Sequence, residues 1–194
     1  KGVKSGIETW SRRLMPLLLV LLVGLIAYIA TLDGASEGFA AYLIPDFSQI
    51  LDPNLIIAAM GQAFFSLSLG VGCMMIYGSY LQPDANLPKL TAGVALLDTG
   101  VAFLAGLLII PAIYVAQHSG VEVFSGGKLI GEGQLIFAIL PELFSTMGEI
   151  GLLVGLLFFV LMSIASVTST ISTTEIPVAF LVENHNVSRT KATW

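Results

Sequence analysis

The sequence predicts an all-α polytopic membrane protein with four membrane-crossing helices, one of them interrupted near the bilayer midplane, and a helical hairpin in an outer loop. Three observations carry that expectation. The chain is 56% hydrophobic and 11% charged, with a mean hydropathy of +0.90, whereas a soluble domain carries about 25% charged residues. Four stretches are nearly free of charge, Leu14–Leu32, Leu55–Leu81, Leu90–Gln117 and Ile150–Val182. Each reaches the ~20 residues needed to cross a hydrocarbon core of ~30 Å. The second stretch also contains Gly61, Gln62, Ser66, Ser68, Gly70 and Gly72, where a lipid-facing helix prefers large apolar residues.

The first span, residues 11–32, carries Pro16, with Gly6 ahead of it. Proline removes a helical hydrogen bond and glycine lowers helix propensity, so this end should unwind easily; an ordinary first-turn proline explains the pattern equally well. The loop 33–53 holds acids and no Lys or Arg. Within it, Gly38 to Pro45 reads as a short surface helix stopped by Pro45.

The second span, 54–81, contains the unusual run Gly61-Gln62-Ala63-Phe64-Phe65-Ser66-Leu67-Ser68-Leu69-Gly70-Val71-Gly72. Small residues at a helix contact are the bland explanation. Gln62, one turn before Ser66, favours a broken helix instead, because an amide at membrane depth must find a partner. Irregular backbone there is tolerated only inside protein or beside a water-filled cavity. The break therefore points to a solute site near the midplane, as in secondary transporters. Cys73, the single cysteine, reads as a small packing residue.

The third span, 89–117, places Asp98 nine residues after Lys89, roughly 13 Å from the cytoplasmic end. A carboxylate there is a functional-site hypothesis by default. With the basic residues all outside the four charge-poor stretches, a bound metal cation or a proton must neutralise it. Oxygen-rich surroundings favour a hard ion such as Na⁺; an Asp bonded structurally to neighbouring hydroxyls is the alternative. In the outer loop 118–146, Gly131–Ile139 and Leu143–Met147 are two short amphipathic segments separated by Pro141. They predict a helical hairpin, either a lid over an outer vestibule or a helix lying on the headgroups.

The fourth span, 147–183, is too long for one crossing at low tilt, so it should tilt strongly or extend into the cytoplasm. Its middle, Ser163 to Thr174, is crowded with hydroxyls, and Ala165, Thr168, Ser169 and Ser172 share one helical face. Glu175 lies nearer the cytoplasmic end, where snorkelling or water access is cheap, and is given no catalytic role, although it or Asp98 could carry a counter-transported proton. Ser188 is a candidate N-cap for a further helix, and the chain reads as an internal piece of a larger protein. Seven of the eight basic residues fall on one side of this topology. That side is cytoplasmic by the positive-inside rule, so both ends are inside and the cell inner (plasma) membrane is the expected location.

Taken together, these residues resemble the neurotransmitter:sodium symporter family, along essentially the whole chain and corresponding to helices 5 to 8 of twelve. The most specific elements are the Gly61–Gly72 run and Ala165-Ser166-Val167-Thr168-Ser169. Pro45-Asp46-Phe47-Ser48, Tyr77-Gly78-Ser79-Tyr80 and Leu140-Pro141-Glu142-Leu143-Phe144-Ser145 add to them. The resemblance implies a LeuT-type fold and two Na⁺ ions. Ser66 and Asp98 would ligate the first sodium, and the Ala165 carbonyl with the Thr168 and Ser169 hydroxyls the second. It implies a substrate pocket of Phe65, Ser66, Ser68, Val71, Ser169 and Thr173, and it places Gln62 and Ala102 near the family's chloride position.

Two departures matter. Asp98 stands where many members have Asn, and Ala102 where chloride-dependent members have Ser. Asp98 already supplies a negative charge beside the first sodium, which implies chloride-independent transport. The expected activity is sodium-coupled symport of a neutral, hydrophobic amino acid by alternating access. An ion channel or ion-conducting subunit is the alternative, and a non-transporting scaffold a third reading. No nucleophile–base arrangement suggests an enzyme. No organic cofactor or nucleic-acid partner is implied; the expected partners are the substrate, the lipid bilayer and the remaining helices of the same transporter.

Overall fold

The structure is a computed structural model that describes residues 7–70, 72–120, 123–125, 128–129 and 135–193. In chain order the helices are α1 (Ile7–Ile29), α2 (Ala35–Leu43), α3 (Pro53–Ser66), α4 (Cys73–Ser79), α5 (Leu87–His118), α6 (Leu140–Ser145), α7 (Glu149–His185) and α8 (Arg189–Thr193). A 3₁₀ turn at Phe47–Gln49 precedes α3, and a π-helical turn at Leu135–Ile139 runs into α6. Two short strands, Phe124–Ser125 and Lys128–Leu129, pair antiparallel; nothing in the hydropathy pattern announces so small a ladder.

Among the described residues, three helices are long and apolar enough to cross a membrane: Arg12–Ile29 within α1, α5, and α7. The other predicted span is divided between α3 and α4, as the polar run within it led one to expect. Helix α7 has 37 residues, about 55 Å at 1.5 Å per residue, against a hydrocarbon core of ~30 Å. Three prolines sit inside long helices, Pro16, Pro111 and Pro177. Each lacks one backbone donor, yet the helix continues through it, because flanking turns retain their own hydrogen bonds. Pro16 therefore does not interrupt α1, and Gly6 lies outside the described residues.

The chain folds as two compact units. The first comprises Lys1–Pro45 and Gly100–Ile164. Its core joins Leu25 and Ile29 of α1, Leu108, Ala112 and Val115 of α5, and Ile139, Leu140, Leu143 and Phe144 of the loop helix. The surface helix expected near 38–45 is α2. Gly38 packs on Pro111, and Tyr42 meets Phe103 at 5.5 Å between ring centroids. Ile44 is extended, at φ −89° and ψ 109°, because the ring of Pro45 disfavours helical backbone in the residue before it.

Within the loop 118–146 the described helix is Leu135–Ser145, and Pro141 does not divide it into the expected hairpin. Leu135–Ser145 is one helical run, with Pro141 in the first turn of α6, where a missing N–H costs little. The segment 131–134 lies outside the described residues.

The second unit comprises Asp46–Thr99 and Ala165–Trp194. Side-chain caps begin its 3₁₀ turn, α3 and α5, whereas α4 starts at Gly72 without one. Asp46 accepts from the Ser48 N–H at 2.8 Å, Asp52 from the Asn54 N–H at 2.9 Å, and Asn86 from the Lys89 N–H at 3.1 Å. Asn186, with φ 50°, ends α7 in a left-handed conformation that Asn tolerates. The further helix expected after Ser188 is α8, and the Ser188 carbonyl accepts from the Ala192 N–H. Few side chains are buried here, Glu175, Val178 and Ala179 among them. Phe65 and Met75 are each 80% exposed.

Candidate cation and solute site

The site begins where α3 stops. Leu67 N–H bonds to the Ala63 carbonyl, Ser68 N–H to Phe65 and Leu69 N–H to Phe64. Ser68 has φ 53°. The last two bonds, closed across a left-handed residue, form a Schellman helix stop, which satisfies two of the carbonyls left over at the helix end. Glycine usually occupies that left-handed position; a serine there is a strained choice. Gly72, at φ 88°, then starts the seven-residue α4. Residues 67–70 are therefore non-helical in the middle of the predicted span, and no described N–H bonds to the Ser66 carbonyl.

Beside this break, Ser66 Oγ donates to Asp98 Oδ2 at 2.8 Å. The sequence separates these residues by 32 positions, and the structure joins them. The Ser66 hydroxyl and the Asp98 carboxylate place two oxygen-bearing groups together beside the break, which suits a hard monovalent cation. Among the described residues, no group of three or more His, Cys, Asp or Glu side chains could hold a metal ion. A transition-metal centre of those ligands is therefore not formed by them.

The second predicted set lies on α7. Thr168 Oγ1 donates to the Ala165 carbonyl at 2.7 Å, and Thr173 Oγ1 to the Ser169 carbonyl at 3.1 Å. Thr170 and Thr174 bond back to their own helix in the same way. Much of the hydroxyl-rich stretch thus serves the helix's own carbonyls. Among the described residues no hydrogen bond joins this set to Ser66 or Asp98.

Phe65 is exposed at the end of α3, and Gln62 is exposed one turn before Ser66. Ala102 is exposed on α5, one turn beyond Asp98. Val71 lies outside the described residues.

One polar network escaped the sequence reading. Glu175 is 8% exposed, rather than open to water. It accepts from the Tyr80 hydroxyl at 2.6 Å, and Arg189 Nη2 reaches both its oxygens at 2.6 Å. The carboxylate thereby ties the end of α4 to α7 and α8. Only the presence of an Arg at the start of the next helix hinted at this, since Tyr80 is 95 positions away.

A chain of apolar helices with an interrupted span and oxygen donors at the break is the architecture of a membrane protein that handles ions or small solutes. The chain belongs to the sodium:neurotransmitter symporter family, whose model matches residues 1–193. It is 40% identical over its whole length to a sodium-dependent transporter of Bacillus subtilis, of which it covers 41%. It is 35% identical to one from Methanocaldococcus jannaschii, over 98% of this chain and 39% of that protein. The human sodium- and chloride-dependent creatine transporter 1 is 33% identical over 84% of this chain and 25% of its own length. A crystal structure of MhsT in complex with L-phenylalanine matches with a TM-score of 0.80 at 41% identity, covering 93% of this chain and 38% of MhsT. The chain thus spans about two fifths of the bacterial and archaeal relatives and of MhsT. These relatives are transporters, in keeping with a non-enzymatic protein.

Proposed function

We propose that the protein containing this chain is a sodium-coupled symporter of a neutral, hydrophobic amino acid, working by alternating access without chloride. The observation that carries this reading is the Ser66–Asp98 pair beside the α3 break. The donor set suits Na⁺, and the fixed carboxylate supplies the negative charge that chloride would otherwise provide. The MhsT complex with L-phenylalanine supports an amino-acid substrate. No charged side chain among the candidate pocket residues Phe65, Ser66, Ser68, Val71, Ser169 and Thr173 would pair with an acidic or basic side chain, which favours a neutral one.

In this reading Ser66 and Asp98 hold one sodium, and Ala165, Thr168 and Ser169 a second. The substrate sits against the non-helical backbone around Ser68. A substrate carboxylate touching the first sodium would couple the two ligands, each raising the other's affinity by the same factor. The remaining helices complete both ion sites, and both ends of this chain face the cytoplasm.

The test is the thermal stability of the full-length protein with a panel of amino acids, in NaCl and in choline chloride. An upward shift that requires both Na⁺ and a neutral amino acid supports the proposal. The absence of any shift in NaCl would remove it. Ohmic current without substrate would favour a channel instead.

A further inference from the structure

We propose that Tyr28 is a positioning residue: it fastens the loop helix Leu135–Ser145 to the end of α1, so that the two move as one body rather than as span and hinged lid. The hydroxyl of Tyr28 lies 3.2 Å from Thr146 Oγ1. Thr146 Oγ1 in turn bonds to the Leu143 carbonyl at 2.7 Å. A carbonyl only accepts, so the single Thr146 proton is spent on Leu143. Tyr28 must then be the donor and Thr146 the acceptor. The tie is directional, and it closes on the last turn of the loop helix.

The packing beneath it points the same way. Ile139 and Leu140 are 1% exposed, Leu143 3% and Phe144 5%. They share their core with Leu25 and Ile29 of α1, at 1% and 0%. The Phe144 ring lies 5.7 Å from that of Phe158 and 6.1 Å from that of Phe159. Gly151 allows the approach, because a Cβ there would collide with the Phe144 carbonyl. A lid that swung free would bare all of these apolar groups together and break the one polar tie at its end. An arrangement buried this deeply resists partial opening.

The experiment uses the full-length protein in lipid, and its amide-exchange arm does not depend on substrate or coupling ion. Amide exchange of residues 136–147 is compared in wild type, Tyr28→Phe, Thr146→Val and Thr146→Ser. Tyr28→Phe keeps the ring and removes only the donor. It should speed exchange roughly fivefold, the effect of one hydrogen bond, and Thr146→Val should match it. Thr146→Ser, which keeps the acceptor, should exchange like wild type. Spin labels at Thr31 and Glu142 should report one narrow distance with and without Na⁺, broadened by Tyr28→Phe. Unchanged exchange in Tyr28→Phe, or a wild-type distance that shifts on adding Na⁺, would overturn the proposal. So would a Thr146→Ser variant that behaves like Thr146→Val.

Discussion

Ser68 holds a left-handed conformation that costs an L-residue about 1–2 kcal/mol. Glycine would adopt it freely but lacks the hydroxyl. Ser68→Gly is therefore expected to raise stability by about 1 kcal/mol while weakening substrate-induced stabilisation, both read from melting curves with and without amino acid. At Asp98, exchanging carboxylate for amide removes a full charge from the proposed first sodium site. Asp98→Asn should raise the sodium concentration for half-maximal thermal stabilisation about tenfold, equivalent to ~1.4 kcal/mol. An unchanged sodium titration would contradict the assignment. Asp46, in the loop before α3, is set lower than an ordinary carboxyl by the Ser48 backbone N–H and hydroxyl. Its folded pKa is depressed, so its contribution is present above the ordinary value of 3.8 and is lost as pH falls through the depressed one. Relative to the Asn54 amide, the Ser48 amide should lose exchange protection in that acid range in an Asp46-dependent manner.

Helix ends decide the elements. The sequence of α3 shows apolar residues, an amide and hydroxyls; the structure shows a Schellman stop that occupies the Phe64 and Phe65 carbonyls. At the far end of the second unit, Glu175 joins three helices through Tyr80 and Arg189. Arg189 is half exposed at 53% and Glu175 is 10% exposed at the side chain. The pair therefore falls between a screened surface bridge and a buried one. Arg189→Ala should destabilise by about 1–2 kcal/mol, and a melting temperature equal to wild type would show the bridge to be idle. The spans, the interruption and the extra helix after Ser188 were legible because hydropathy, proline and glycine act over a few neighbouring residues. The Glu175 network was not legible, since its partners stand 14 and 95 positions away. Pro141 misled for a related reason. A proline breaks a helix only where its N–H is needed, and the first turn of α6 does not need it.

For the whole molecule, the proposed chemistry is a linkage between ion and substrate. A ligand at a hundred times its Kd stabilises the native state by about 2.7 kcal/mol, enough to move a melting curve visibly. Sodium and substrate together should exceed the sum of their separate effects if they share the first site. Replacing chloride by gluconate at constant sodium should leave uptake unchanged if Asp98 supplies the negative charge. Uptake that collapses in gluconate would place chloride in the mechanism.

The sequence by itself determined the membrane character of the chain, the weak point within its second apolar stretch and the family to which it belongs. These follow from local composition and from motifs contained in short windows. Only the tertiary structure decided which groups meet. It brought Ser66 to Asp98, paired Glu175 with Tyr80 and Arg189, and fixed the loop helix to α1 through Tyr28 and Thr146. Such pairings depend on how helices far apart in the chain pack, and hydrophobic periodicity says which face is apolar without saying what that face will touch.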